Sequence, residues 1–499
     1  MVKWPTIRQR GEEDLTGLPL PNADKIDHPS SPDLRALRLA MTISDRLLSM
    51  GVAAGNVVSR VLDITETYCS QPVHVDISSN LIMLSQLRGL EAEPLTLFRP
   101  VVSREVNNMT IQSIQDLVHR IRSGQLKLEQ AEVELDDVLK HPITYPNWLI
   151  PLANATLAAG VDLMFTTNWR IILVTFVIVW LVDRLVFALS KKGISTFFRQ
   201  AAAGAFVTFG AAIINLLASR GITFFDGMNP TIIVVGGIIM LLSGLAIVGA
   251  IQDAIDEYYI TANARILKVT LLTSGIVMGV LIGLYAARKA GMGIAVSPNP
   301  LHLTGLHFQI AGGAIAAGAL AVATQTRLRA VVWAGFLGGL ALLIMYSSSS
   351  LGISVVPASG VAALVVGVLA KLLSRFWRTP ASGVTAAGIV PLVPGLSLYT
   401  GLMQLVNYPP GDPLFTRGLG TLFSAIAIAL AIAAGASFGN ILARPFYQRR
   451  THLRNFLPVS QLMRFQLRAG QKHGLARIAL KRAWSHQQWD DDNRHSPDI

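Results

Sequence analysis

The chain has 499 residues, 52% of them hydrophobic and 14% charged, with a mean hydropathy of +0.48. That is too apolar for an ordinary water-soluble protein, and the apolar residues fall in runs long enough to cross a bilayer. The net charge of +12 is uneven, with 15 basic against 19 acidic residues in 1–147, 16 against 7 in 148–443 and 11 against 4 in 444–499, so basic charge lies beside apolar runs, where anionic lipid and topology account for it better than nucleic acid does.

Residues 1–32 are polar and proline-rich, and the opening MVKWPTIRQRGEED lacks the apolar core of a secretory signal; this stretch is expected to be a flexible lead. From Asp33, LRALRLAMTISDRLLSMG carries apolar residues at helical spacing as far as Gly51, and a second helix follows over 53–69. Three strand-like pieces come next: VHVDISS (73–79), LIMLSQLRG (81–89) and PLTLFRPVV (94–102). Ser79–Asn80 is a tight turn between the first two. Helices near 108–123 and 128–140 complete an expected cytoplasmic α+β domain over 33–147, large enough for its own core.

Ten apolar runs follow, near 148–166, 171–189, 201–218, 231–251, 266–286, 307–324, 328–346, 355–373, 383–404 and 418–442. Each suits a hydrocarbon core of about 30 Å. With the N-terminal domain inside, the loops on its side hold Lys191, Lys192, Arg199, Arg265, Lys268, Arg327, Arg329, Lys371, Arg375 and Arg378. The opposite loops hold Arg170, Arg220, Arg288, Lys289 and Arg417, and this bias puts both termini in the cytoplasm. The tail 444–499 includes LPVSQLMRFQLRAGQKHGLARIALKRAW, which reads as a basic amphipathic helix on the inner leaflet or as a solvated tail.

An eight-residue pattern occurs twice, 151 residues apart: GIIMLLSG at 237–244 and GIVPLVPG at 388–395. Gly237 pairs with Gly388 and Gly244 with Gly395. Proline and glycine inside a spanning helix remove a backbone donor and invite a break. Ten spans at this offset divide into two five-helix repeats, 148–290 and 300–443. An odd number of spans per repeat turns the second copy upside down, so the two patterns meet about 12–20 Å into the membrane. The expected fold is thus an α-helical polytopic membrane protein with ten transmembrane helices in two inverted repeats.

The run VHVDISSNLIMLSQLRG…PLTLFRPVVSR, followed by LVHRIRSGQLKLEQAEVELDDVLKHPITYPNWL, resembles the N-terminal domain of the bacterial threonine/serine exporter family. Pro380 and GIVPLVPGLSLYTGL (388–402) resemble that family's C-terminal module, so the resemblance spans roughly 33–443. It implies a ten-span carrier of the inner membrane that exports L-threonine and L-serine, driven by the proton motive force. Where the family tends to show a proline before the first-half glycine, this chain has Ser243. The alternatives are export of another small polar solute, or a membrane-anchored sensor or enzyme acting through the N-terminal domain. A duplicated mid-membrane break favours transport, since an anchor has no use for it.

Pro391, Pro394 and Gly395, with Ser243 and Gly244, are the candidate substrate site, because an interrupted helix frees the amides and carbonyls that an amino-acid zwitterion needs. Well-packed kinks would look the same. Tyr399 is placed to bond a substrate hydroxyl or to anchor at the interface, and Asn154, like Asn215, is placed for substrate or for an interhelical hydrogen bond. Asp183 and Asp162 are intramembrane acids and therefore candidates for proton coupling. Asp183 could instead only neutralise Arg184, and Asp162 could sit in a watery outer vestibule. Asp253, which falls where Gln404 falls in the second copy, is a candidate proton relay or gate, or a solvated helix end paired with Arg265 or Lys268. Cys69 is the only cysteine and no histidine pair has metal-binding spacing, so neither metal nor cofactor is expected. The N-terminal domain carries no nucleophile or nucleotide motif, though His74 and Asp76 share a strand face. The expected partners are the two amino acids, protons and membrane lipids, with a homo-oligomer left open.

Overall fold

A computed structural model describes residues 31–88, 93–239, 241, 244–292, 303–377, 381–395, 397, 400–401, 404–405 and 408–443. Residues 1–30 of the lead, the basic tail, Ser243 and Tyr399 lie outside the described residues; the last two positions of the lead, Ser31 and Pro32, cap and begin α1.

Before the apolar runs come α1 (Pro32–Ser49), α2 (Ala54–Tyr68), β1 (Val73–Ser78), β2 (Leu81–Gln86), β3 (Leu95–Pro100), α3 (Asn108–Arg122) and α4 (Leu128–Lys140). The strands form one antiparallel sheet in the order β1-β2-β3. Strict alternation sends Val73, Val75 and Ile77 to the same buried face as Ile82 and Leu84. The β1–β2 hairpin closes at Ser79, whose φ of 58° is the left-handed geometry of a two-residue turn. The sheet and the apolar stripes of the four helices share a single hydrophobic cluster. Asp33 fastens it at the edge, accepting bonds from Ser70 N (3.0 Å), Ser70 Oγ (2.5 Å) and Gln86 Nε2 (2.7 Å).

Among the described residues of the apolar part, the regular elements are all helices. The first are α5 (Leu149–Phe165), α6 (Trp169–Lys191), α7 (Thr196–Ser219), α8 (Pro230–Ile239), α9 (Gly244–Ile255) and α10 (Tyr259–Lys289). After these come α11 (Leu306–Ala323), α12 (Leu328–Ser350), α13 (Val355–Trp377), α14 (Ala381–Ile389), a 3-10 turn (Val390–Leu392) and α15 (Pro413–Leu442). By length and composition, seven of the described helices are fit to cross a membrane: α6, α7, α10, α11, α12, α13 and α15. The protein is an α-helical membrane protein. The count is seven and not ten because α5 has only 17 residues and because two apolar runs are each split into pieces too short to qualify.

Packing follows the same plan in both halves. The α7–α10 pair is the most extensive contact of the first half, as α13–α15 is of the second. In each half the second and third helices also touch the helix before the interruption, α8 or α14. Small residues let these pairs close. A Cβ at Gly279 of α10 would collide with Ala201 O of α7, and one at Gly435 of α15 would collide with Gly360 O of α13. The halves join where α5 crosses α11, with Gly160 and Gly312 backbone against backbone.

Gly279→Leu should therefore force α7 from α10 and lower stability by on the order of 1–3 kcal/mol, read as an earlier thermal transition in detergent. Gly420→Leu, whose Cβ meets nothing within 4 Å, should leave that transition in place. In the N-terminal cluster, burial together with the Asp33 charge pushes the Cys69 thiol up to about 12. Since the thiolate is the reacting form, maleimide at pH 7.5 should label native Cys69 at least tenfold more slowly than Cys69 of the urea-unfolded protein. Equal rates would contradict this burial.

Candidate functional site: two interrupted helices and the acids around them

The first interruption separates α8, ending at Ile239, from α9, beginning at Gly244. The last bond on the α8 side is Leu241 N to Ile238 O at 2.8 Å, a tightened three-residue closure. This run contains no proline. In the second interruption α14 tightens into the 3-10 turn that contains Pro391, and Val393 leaves the helical region with ψ 128°. Pro394 can donate no backbone bond, and Gly395 N closes onto Val393 O at 2.8 Å. Gly244 and Gly395 thus occupy the far edges of the two breaks. The paired glycines Gly237 and Gly388 lean on α7 and α13, with ideal Cβ positions 2.5 Å from Val207 Cγ1 and 3.0 Å from Val366 Cγ1.

The three acids differ in how they are held. Asp183 on α6 accepts from Asn154 Nδ2 of α5 at 2.8 Å and from Arg184 Nη2 at 2.7 Å. Arg184 follows Asp183 on the same helix, and its long guanidinium reaches back to close the pair. Arg184 also lies 5.4 Å from the Phe187 ring centre. The Asn154 amide is thereby committed to Asp183.

Asp253 is fully buried at the end of α9 and pairs with Arg265 Nη1 of α10 at 2.8 Å. Its other oxygen accepts from Ala54 N at 3.1 Å. Helix α2 has no side-chain cap of its own, so a carboxylate from the apolar part caps it. Arg265 Nη2 also reaches Val52 O (3.3 Å), and Thr261 Oγ1 accepts from Ser79 N (3.1 Å). Sequence spacing gave no signal for this dock, whose partners lie 199 residues apart.

A second dock joins the N-terminal unit to the other half. Asn107 caps α3 through Oδ1 (Thr110 N, 2.9 Å) and donates from Nδ2 to Gln325 Oε1 (2.8 Å). Asn108 Nδ2 donates to Thr326 Oγ1 (2.9 Å), and its backbone amide to Thr324 O (3.0 Å). Tyr145, from the YPNW stretch, donates to Thr326 O (2.7 Å). The Asn108 side chain also fills the space over Gly383 in the first turn of α14. The N-terminal unit therefore touches the end of α9, the piece after the first interruption, and the start of α14, the piece before the second.

Asp162 is the exception. It is fully buried in α5, and neither carboxylate oxygen has a hydrogen-bond partner among the described residues. It lies against Gly236 of α8, where a Cβ would collide with Oδ1 and come within 2.7 Å of Cγ. It has no solvent exposure. Among the described residues there is no cluster of side chains fit to hold a metal.

An apolar helical bundle with two interrupted helices and a docked N-terminal unit defines the class: a polytopic α-helical membrane protein. Residues 38–286 match the family model described as "Putative threonine/serine exporter", and residues 309–441 that described as "Threonine/Serine exporter, ThrE". The chain is similar to the "Probable threonine/serine exporter" of Mycobacterium tuberculosis, 33% identical over 88% of this chain and 82% of that one. It is also similar to the "Threonine/serine exporter" of Corynebacterium glutamicum, 30% identical over 85% of this chain and 86% of that one. No solved structure matches. The chain belongs to the threonine/serine exporter family.

Removing Arg265 leaves the buried Asp253 charge alone, at a cost on the order of 3 kcal/mol. Arg265→Ala should make the N-terminal unit releasable by limited proteolysis under conditions where the parent protein resists. Asp253→Asn, which keeps an acceptor for Ala54 N, should do so less.

Proposed function

We propose that the protein is a secondary transporter that exports L-threonine and L-serine across the inner membrane, taking protons inward in exchange. The observation that carries this reading is the interruption of an apolar helix at matching places in the two halves, Gly237–Gly244 and Gly388–Gly395. Interrupted helices expose backbone amides and carbonyls where a zwitterion is otherwise insoluble. The relatives' names support the substrate class, and the shared packing plan supports two five-segment repeats of opposite orientation.

In this arrangement α8 with α9 forms the fourth segment, and α14 with the chain beyond it forms the ninth. Both docks then fall on one side of the membrane, at the α9–α10 junction, the α11–α12 loop and the start of α14. That side has the excess of basic loop residues, which supports cytoplasmic termini. Ser243, Gly244, Pro391, Pro394, Gly395 and Tyr399 surround the substrate. Asp162, the acid without a partner, carries the proton. Asp183 with Asn154, and Asp253, already bonded within the fold, hold helices and the N-terminal unit in place.

Cells loaded with threonine from a peptide should release it faster with the protein than without it. Gly395→Leu should abolish that release while the protein still reaches the membrane. Unimpaired efflux would remove the second interruption from the site.

A further inference from the structure

A proton satisfies only part of what surrounds Asp162. Thr175 of α6, itself fully buried, has its hydroxyl beside the carboxylate. The missing side chain of Gly236 lets the Asp162 carboxylate lie directly against α8. Helix α8 ends one turn further on, at Ile239, and a helix C-terminus carries partial negative charge. A carboxylate, a hydroxyl oxygen and a helix C-terminus each attract a cation. A proton occupies one carboxylate oxygen and leaves the other two unused, whereas an ammonium has three donors to distribute among them. A buried carboxylate without such a partner is costly in an apolar layer.

We infer that the place where Asp162, Thr175 and Gly236 meet is the ammonium site, where the substrate's α-ammonium and a proton exclude one another. The inference rests on the exporter reading above and deepens it. On the cytoplasmic side the Asp162 carboxyl releases its proton as the ammonium arrives. On the outer side a proton replaces the departing amino acid. One O–H bond breaks and one forms per cycle, and the carboxylate is never left uncompensated in the apolar layer. Coupling then needs no separate proton relay. Threonine without its amino group should not enter.

The test uses the full-length protein in liposomes, measuring threonine–threonine exchange without a gradient and threonine flux driven by a proton gradient, in sodium and in potassium buffers. Asp162→Asn should reduce both fluxes at least tenfold while eluting as a folded species from size exclusion. Thr175→Val should raise the half-saturating threonine concentration about tenfold, and Thr175→Ser should restore it. 3-Hydroxybutyrate should not compete. Exchange that survives in Asp162→Asn while driven flux is lost would limit Asp162 to protons and overturn the inference. A strict sodium requirement in the parent protein would make sodium the cation and overturn it too. If Asp162→Asn does not fold, the Thr175 pair and the 3-hydroxybutyrate competition decide: unchanged half-saturation or effective competition overturns it. Absence of any threonine flux in the parent protein would instead remove the exporter reading beneath it, a separate failure.

Discussion

A helix that stops among apolar neighbours leaves amides and carbonyls that no water reaches, and a fold that tolerates this twice must surround each break with close-fitting protein. Much of the packing follows from that constraint. Gly237 and Gly388 let α8 and α14 lie against α7 and α13, beside the breaks. Glycines on α10 and α15 draw the third and fifth helices of each half into backbone contact, giving each interruption a rigid wall. The two breaks are not chemically alike. The second is imposed by Pro391 and Pro394, whereas the first has no proline and ends in a tightened turn at Ile238–Leu241.

The N-terminal unit shares in this support. It uses helix ends as its contacts: the bare N-terminus of α2 takes its cap from Asp253, and the cap of α3, Asn107, shares its amide with Gln325. These two docks hold the piece after the first break and the piece before the second. Any motion that rocks one half against the other strains both docks together. Asp253, bonded to Arg265 and to Ala54 N, is one of the points where the two parts of the frame are fastened.

The apolar runs, the hairpin at Ser79–Asn80 and the repeated glycines were legible because each is a local pattern in the chain. What was not legible depends on tertiary distance or side-chain reach. Which of its two readings Asp183 takes depends on reach, because the Arg184 guanidinium is long enough to turn back along its own helix. Asp162 was marked as an intramembrane acid from sequence; that it would lie unpartnered against Gly236, 74 positions away, required the fold. The sequence could name three acids but not rank them, since what separates them is their partners.

The central claim is that the two halves are the same design turned over. It is tested most directly by sided labelling of equivalent connections: single cysteines replacing Lys192, between α6 and α7, and Ser354, between α12 and α13, both exposed. The account predicts that an impermeant maleimide added to intact cells labels position 354 and not position 192, and that inside-out vesicles reverse the pattern. Labelling of both positions from the same side would contradict it.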